Sequence, residues 1–214
     1  YAQPVWAAGA PQPVTENLAL DKAGLKPNEK GYIEVNAAGQ TPSAGIYAIG
    51  DVNGGPQLAH AATAQGLLAA EHAVGPRRIL RAQVVPSCIF TAPEIATVGL
   101  CEQEAKQQNR AVKTGKFHFA ASGKAVASGE TTGFVKWIAD AETDQLLGAA
   151  AIGAHATELI ATAVTAIQAE LTAAEFARTI QAHPTLSEAW MEAAHAVHAQ
   201  CIHAPPRRRK SDDR

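Results

Sequence analysis

Cysteine is scarce: among 214 residues there are three, Cys88, Cys101 and Cys201. Their odd number and wide spacing fit neither a disulfide framework nor a cysteine zinc site, and point to reduced thiols in a cytoplasmic compartment. No two of them stand in C-x-x-x-x-C spacing, and no G-x-G-x-x-G dinucleotide fingerprint occurs. No apolar run is long enough to span a bilayer, and no basic-then-apolar signal peptide opens the chain. Charge of either sign is not in excess: the formal net charge is −2, which gives no bulk reason to expect nucleic acid or anionic membrane as a partner. Internal repeats and low-complexity tracts are also absent.

Hydrophobic residues make up 47% of the chain and charged ones 18%, so it should bury a proper core. Its length suits one large domain or two modest ones. The opening YAQPVWAAGAPQP reads as the interior of a longer enzyme. RRRK at 207–210, after Pro205-Pro206, reads as part of a disordered basic tail at 205–214.

Three textures follow one another. YIEV (32–35) alternates like a half-buried strand, and GIYAIGD (45–51) is a compact apolar run ending in glycine and an acid. NGGP then gives way to LAHAATAQGLLAAEHAV, an alanine-rich, breaker-poor helix pattern. GPRRILRAQ (75–83) looks like a linker. Beyond it VVPSCIF, ATVGL, KTGKFHF, GFVKWIAD and LLGAAAIG are β-like, with CEQEAKQQN a short helix among them. The last third is helical: HATELIATAVTAIQAE carries Leu159, Ile160, Ala163, Val164 and Ile167 on one face. Thr172 and Glu175 have capping-box spacing, and a final helix is expected from about Leu186 toward Ile202. Strands followed by packed helices make an α+β domain.

Two stretches could carry chemistry. In the first, Asp51 ends an apolar run just before a helix, where backbone amides attract electron-rich groups and a carboxylate can accept from sugar-like hydroxyls. A plain strand–loop–helix connection with Asp51 as a turn residue explains the same residues. The second is QAHPTLSEAW (181–190). Thr185 and Glu188 form T-x-x-E, so Glu188 could simply reach back to the Thr185 amide. Alternatively Glu188 could orient His183 as a general base of near-neutral proton affinity. The two roles compete for one carboxylate. His72, His118, His155, His195, His198 and His203 show no partners at metal spacing, and Trp137, Trp190, Phe117 and Phe119 read as core or interface aromatics.

Set in order, these motifs resemble the pyridine nucleotide–disulfide oxidoreductases. Thr41 and Ile46–Tyr47–Ala48–Ile49–Gly50–Asp51 match that family's second flavin signature. Pro86, Phe90, Thr91, Pro93, Glu94, Ala96, Val98–Gly99–Leu100, Glu102, Glu104 and Ala105 match the entry to its interface domain, with Cys101 replacing the usual Ser/Thr helix cap. AHPTLSEA resembles the dihydrolipoamide dehydrogenase branch: Glu188 is followed by Ala189 and not by a second glutamate, and Cys201 stands alone.

The resemblance implies the end of an α/β nucleotide-binding region followed by an antiparallel-sheet-plus-helices dimerisation domain. Residues 1–30 would be the tail of the NAD-binding domain, with Ala8-Gly9-Ala10 departing from its usual ending. Residues 31–82 would be the last segment of the FAD-binding domain, and 83–204 the interface domain. It further implies a homodimer using FAD and NAD, acting on the lipoyl group of a 2-oxo acid dehydrogenase complex. Asp51 would bind the flavin ribityl hydroxyls; Gln57, Leu58, Ala59 and His60 would line the ring; His183 and Glu188 would be the acid–base pair serving a dithiol across the dimer. The missing dithiol and phosphate loops make the chain a C-terminal portion, with little or no activity expected of it alone. A non-catalytic dimerisation module and an NADPH-dependent reductase are the alternatives.

Overall fold

The computed structural model describes residues 12–75 and 84–204, and the chain divides into two compact units, Tyr1–Ala82 and Gln83–Arg214. The expected basic tail, residues 76–83 of the expected linker, and Ala8–Ala10 lie outside the described residues.

In the second unit, five short apolar runs pair into one antiparallel sheet. The strands are β1 (Ser87–Ile89), β2 (Glu94–Gly99), β3 (Val112–His118), β4 (Gly133–Asp140) and β5 (Leu146–Gly153), in the order β1-β2-β5-β4-β3. The central strand β5 reads LLGAAAIG, and its small residues let the neighbouring backbones come close. An added Cβ at Gly148 would run into the Leu100 carbonyl. The turn between β4 and β5 is tied by Asp140, whose carboxylate accepts from the Thr143 and Glu142 amides, each at 3.0 Å, and pairs with Arg110 at 3.0 Å. Those two amides, then Arg110, hold the Asp140 carboxyl down at about 2.

Helices cover one face of the sheet. Among the described residues α4 (Ala156–Gln168) packs on β2 and β5, while α6 (Glu188–Val197) packs on β3 and β4. The predicted apolar stripe of α4 is confirmed at Leu159, Ile160 and Ala163, all buried. α5 (Ala173–Ala177) lies against α6 and begins with the expected box: Glu175 N–H donates to Thr172 Oγ1 at 3.1 Å, and Thr172 N–H donates to the Glu175 carboxylate at 2.8 Å. α2 (Glu102–Gln107) is capped in the same reciprocal way by Cys101. The sulfur accepts at 3.4 Å, so the substitution retains the box with a long, soft bond. A short helix α3 (Gly123–Ser128), which has no apolar periodicity to announce it, is capped by Ser122.

Two tryptophans knit these layers together. Trp137 of β4 and Trp190 of α6 are fully buried with ring centroids 4.7 Å apart. Trp137 Nε1 donates to the Trp190 carbonyl, and Trp190 Nε1 donates to the Leu159 carbonyl of α4, each at 3.0 Å. Both indole N–H groups are thereby satisfied inside the core, as burial requires. Gly115 of β3 completes the seat of α6: a Cβ there would collide with the Ala193 carbonyl oxygen and the Val197 amide.

The first unit is simpler. Its long helix α1 (Ala59–Val74) forms where the alanine-rich run predicted one. The two expected strands do not form as regular strands. YIEV is extended without a ladder, and GIYAIGD makes only an isolated bridge, Gln40 to Tyr47. A strand needs a partner along its length. Here the run instead closes on its own loop: the Thr41 amide donates to the Ile46 carbonyl at 2.9 Å and the Ala48 amide to the Gly39 carbonyl at 2.9 Å.

Two outcomes follow. Gly115→Ala should push α6 off the sheet and cost roughly 1–3 kcal/mol, read as a lower urea midpoint. The depressed Asp140 carboxyl contributes stability that is present above its ordinary value of 3.8 and lost as pH falls through about 2. Asp140→Asn should therefore lower the melting temperature at pH 7, and the difference from the unsubstituted chain should shrink as pH falls from 3.8 through about 2.

Candidate functional site

α6 carries Glu188 as its first residue, two positions before the anchored Trp190. Ser187 occupies the cap position without a side-chain bond, so the helix entrance relies on Glu188 itself. One Glu188 oxygen accepts from the Thr185 amide at 2.9 Å, and the other meets His183 Nδ1 at 2.8 Å. The anticipated competition is thus resolved by division: each oxygen serves one partner. The capping box is only half formed, because Thr185 Oγ1 turns away and donates to the Ala182 carbonyl at 2.7 Å. The helix begins at Glu188 and ends at Val197, shorter at both ends than its apolar pattern predicted.

Exposure differs within the pair. The Glu188 side chain is 20% exposed and that of His183 77%. Burial works against the Glu188 charge, but the Thr185 amide and then His183 outweigh it, and the carboxyl is held below its ordinary value. An ionised carboxylate only accepts, so Nδ1 must carry the imidazole proton. Nε2 is then left as a basic lone pair on an exposed ring. Such an arrangement can take a proton from a neighbouring acid and stabilise the imidazolium that results.

In the first unit, Asp51 lies exposed in a 3-10 turn, Gly50–Asn53, directly before α1. Gln57 and Leu58 are half-buried, and Ala59 and His60 are exposed at the helix start. Leu58 holds the cap position and its own side chain makes no capping bond; the positive end of the helix dipole lies here. Two residues not anticipated from the sequence hold this turn. Gln65 Oε1 accepts from the Gly50 amide at 2.7 Å and from Asn53 Nδ2 at 3.1 Å, while Asn53 Oδ1 accepts from the Gly55 amide at 2.9 Å. Asn before Gly-Gly is a turn signal. Gln65, inside a helix, carries no such mark. An exposed acid beside a helix N-terminus offers a hydrogen-bond acceptor and a partly positive end within one turn.

The other candidates sort themselves out. Cys88, Cys101 and Cys201 are all free thiols. Burial, then Glu94 and Glu158, raises Cys88; burial and the Glu192 carboxylate push Cys201 up to about 11. Neither is a ready thiolate. Three of the remaining histidines each face a single carboxylate: His198 with Asp144 at 3.1 Å, His203 with Glu192 at 2.6 Å, and His155 with Glu130 at 3.9 Å. None joins a group of three or more metal-ligating residues among the described residues. No helix among them is long and apolar enough to cross a membrane.

The chain belongs to the pyridine nucleotide-disulphide oxidoreductase family: residues 85–194 match its dimerisation domain, and residues 1–66 match its pyridine nucleotide-disulphide oxidoreductase domain. It is similar to the dihydrolipoyl dehydrogenases of Thermus scotoductus, 50% identical over 192 residues, and Bacillus subtilis, 49% identical over 189. These alignments cover 90% and 88% of this chain, and 41% and 40% of those proteins. Among solved structures, LpdA from Mycobacterium tuberculosis superposes with a TM-score of 0.80 at 32% identity, over 86% of this chain and 40% of that one. The flavoprotein disulfide reductase RclA of Escherichia coli gives 0.77 at 26%, over 86% and 42%. The chain thus spans about two-fifths of the length of the relatives it matches.

The dual role of Glu188 can be separated by measurement. Glu188→Gln should retain the bond from the Thr185 amide and lose the charge that orients His183. Melting temperature should fall little, while the His183 tautomer, read from its ring-nitrogen NMR shifts, should move away from the Nδ1–H form because the amide then offers an N–H to that atom.

Proposed function

We propose that this chain supplies the acid–base pair and part of the flavin site of a dihydrolipoyl dehydrogenase, which oxidises dihydrolipoamide with NAD+ to give lipoamide and NADH. The observation that carries this reading is the His183–Glu188 pair: a 2.8 Å bond that sets the tautomer and leaves Nε2 on the surface.

In this reading His183 Nε2 accepts the proton of a dihydrolipoamide thiol as its sulfur attacks a disulfide. Glu188 stabilises the imidazolium, and the proton returns when the leaving thiolate is protonated. The redox cysteines belong to sequence outside this chain, which has no C-x-x-x-x-C, and in the homodimer they face His183 from the other subunit. FAD, when bound, supplies the two-electron acceptor that passes hydride to NAD+. Asp51 would hold its ribityl hydroxyls, Gln57, Leu58, Ala59 and His60 would line its ring, and the positive end of the α1 dipole would favour negative charge there. Residues 1–30 are assigned to the end of the NAD-binding domain, 31–82 to the FAD-binding domain and 83–204 to the dimerisation domain. The lipoyl group comes from a 2-oxo acid dehydrogenase complex, and the setting is cytoplasmic.

In the complete enzyme, His183→Ala should lower lipoamide-dependent NADH formation by roughly 10²–10⁴-fold with the flavin spectrum intact. Turnover near the unsubstituted level would remove His183 from the base role. For this chain alone, an FAD titration should show weak binding or none, with no lipoamide turnover.

A further inference from the structure

Gly50 opens the turn that carries Asp51, and it is buried. Its φ of +73° lies in the left-handed region, and an added Cβ would press on the Ala62 methyl of α1 at 3.3 Å. The extended run up to Ile49 is thus turned sharply against the helix at one residue. A buried amide at such a bend needs an acceptor, and the isolated bridge at Tyr47 does not reach it.

Gln65 of α1 fills that place. Its Oε1 accepts from the Gly50 amide at 2.7 Å and from Asn53 Nδ2 at 3.1 Å, so both lone pairs of one oxygen are engaged. Asn53 Nδ2 also reaches the Ala48 carbonyl at 3.2 Å, and the Ile33 amide donates to the Val52 carbonyl at 2.9 Å. The chain is therefore fastened at Gly50, Val52 and Asn53. Asp51 lies among those points, exposed, and none of these bonds uses its carboxylate. Gln65 is half-buried and belongs to the helix whose N-terminus follows the turn. One side chain thus sets the acid relative to the helix end.

We propose that Gln65 is a positioning residue for the flavin: by holding Gly50 and Asn53 on either side of Asp51, it fixes the direction in which that carboxylate meets a ligand hydroxyl. That the ligand is a flavin rests on the proposed function; that Gln65 orients Asp51 does not. Both partners of Oε1 are donors, so the position requires an acceptor of the same reach. Gln65→Glu keeps one, and Gln65→Leu, of similar bulk, does not.

The first measurement needs no cofactor. In this chain, amide hydrogen exchange followed by NMR should show Gly50 protected in the unsubstituted and Glu forms. In the Leu form its exchange should be roughly tenfold faster or more, with the α1 amides still protected as evidence of folding. The second measurement is an FAD titration of the complete enzyme stripped of flavin. Gln65→Leu should weaken binding about tenfold, the size of one hydrogen-bonded group, and Gln65→Glu should restore it to within about threefold. A double-mutant cycle with Asp51→Asn separates orientation from simple support. If Gln65 acts through Asp51, the Leu substitution should weaken binding no further once residue 51 is Asn. Unchanged Gly50 exchange, absence of rescue by Glu, or additive losses in the cycle would each overturn the proposal. Failure of the flavin reading shows separately, as FAD affinity that Asp51→Asn leaves unaltered while Gly50 exchange still responds to Gln65→Leu.

Discussion

The second unit depends on how Trp190 is held. Its ring lies against Trp137, its indole N–H reaches the Leu159 carbonyl, and its own carbonyl receives the Trp137 indole. Sheet, α4 and α6 are therefore tied at one residue, with every polar atom of the contact satisfied. Truncating a buried tryptophan of this kind typically costs about 3–5 kcal/mol. Because Glu188 lies half a turn upstream, the same contact fixes where the carboxylate points. Gly115 adds the second constraint by letting the α6 backbone rest directly on β3. The chemistry thus sits at the end of a rigid lever whose far side is core.

From that seat the pair acquires its asymmetry. Glu188, mostly covered and charged, is the fixed element; His183, on the loop before it, is the exposed one. General acid–base work favours this division, since the orienting group should not titrate while the working group does. The Gly50–Asn53 turn uses related physics in another form, with a helix N-terminus following an exposed acid. There the positioning falls to two amide side chains, Asn53 and Gln65, instead of to a tryptophan.

Much of this was readable in the sequence, for particular reasons. Strands β3, β4 and β5 are apolar runs bounded by turn residues, and they formed where the pattern placed them. The Thr172–Glu175 box and the α4 stripe are local codes, complete within a few residues. What stayed hidden is non-local. GIYAIGD has a strand's composition, but strand formation is decided by a partner, and among the described residues it finds a bridge only. Glu192 reads as one more helical glutamate, and only burial together with the returning segment 201–203 shows its work. Gln65 is silent for the same reason, since its partners lie 12 and 15 residues away. The division of Glu188 between two partners was the subtler case, because a spacing of three names a cap without saying what the second oxygen does.

That division has a further meaning. Loop shape and imidazole tautomer hang on two atoms of one carboxylate, yet they draw on different properties of it. Any oxygen in place can accept from the Thr185 amide, whereas the imidazole needs a second acceptor beside it. The loop can therefore keep its form while the histidine loses its direction, and shape and tautomer come apart at a single side chain.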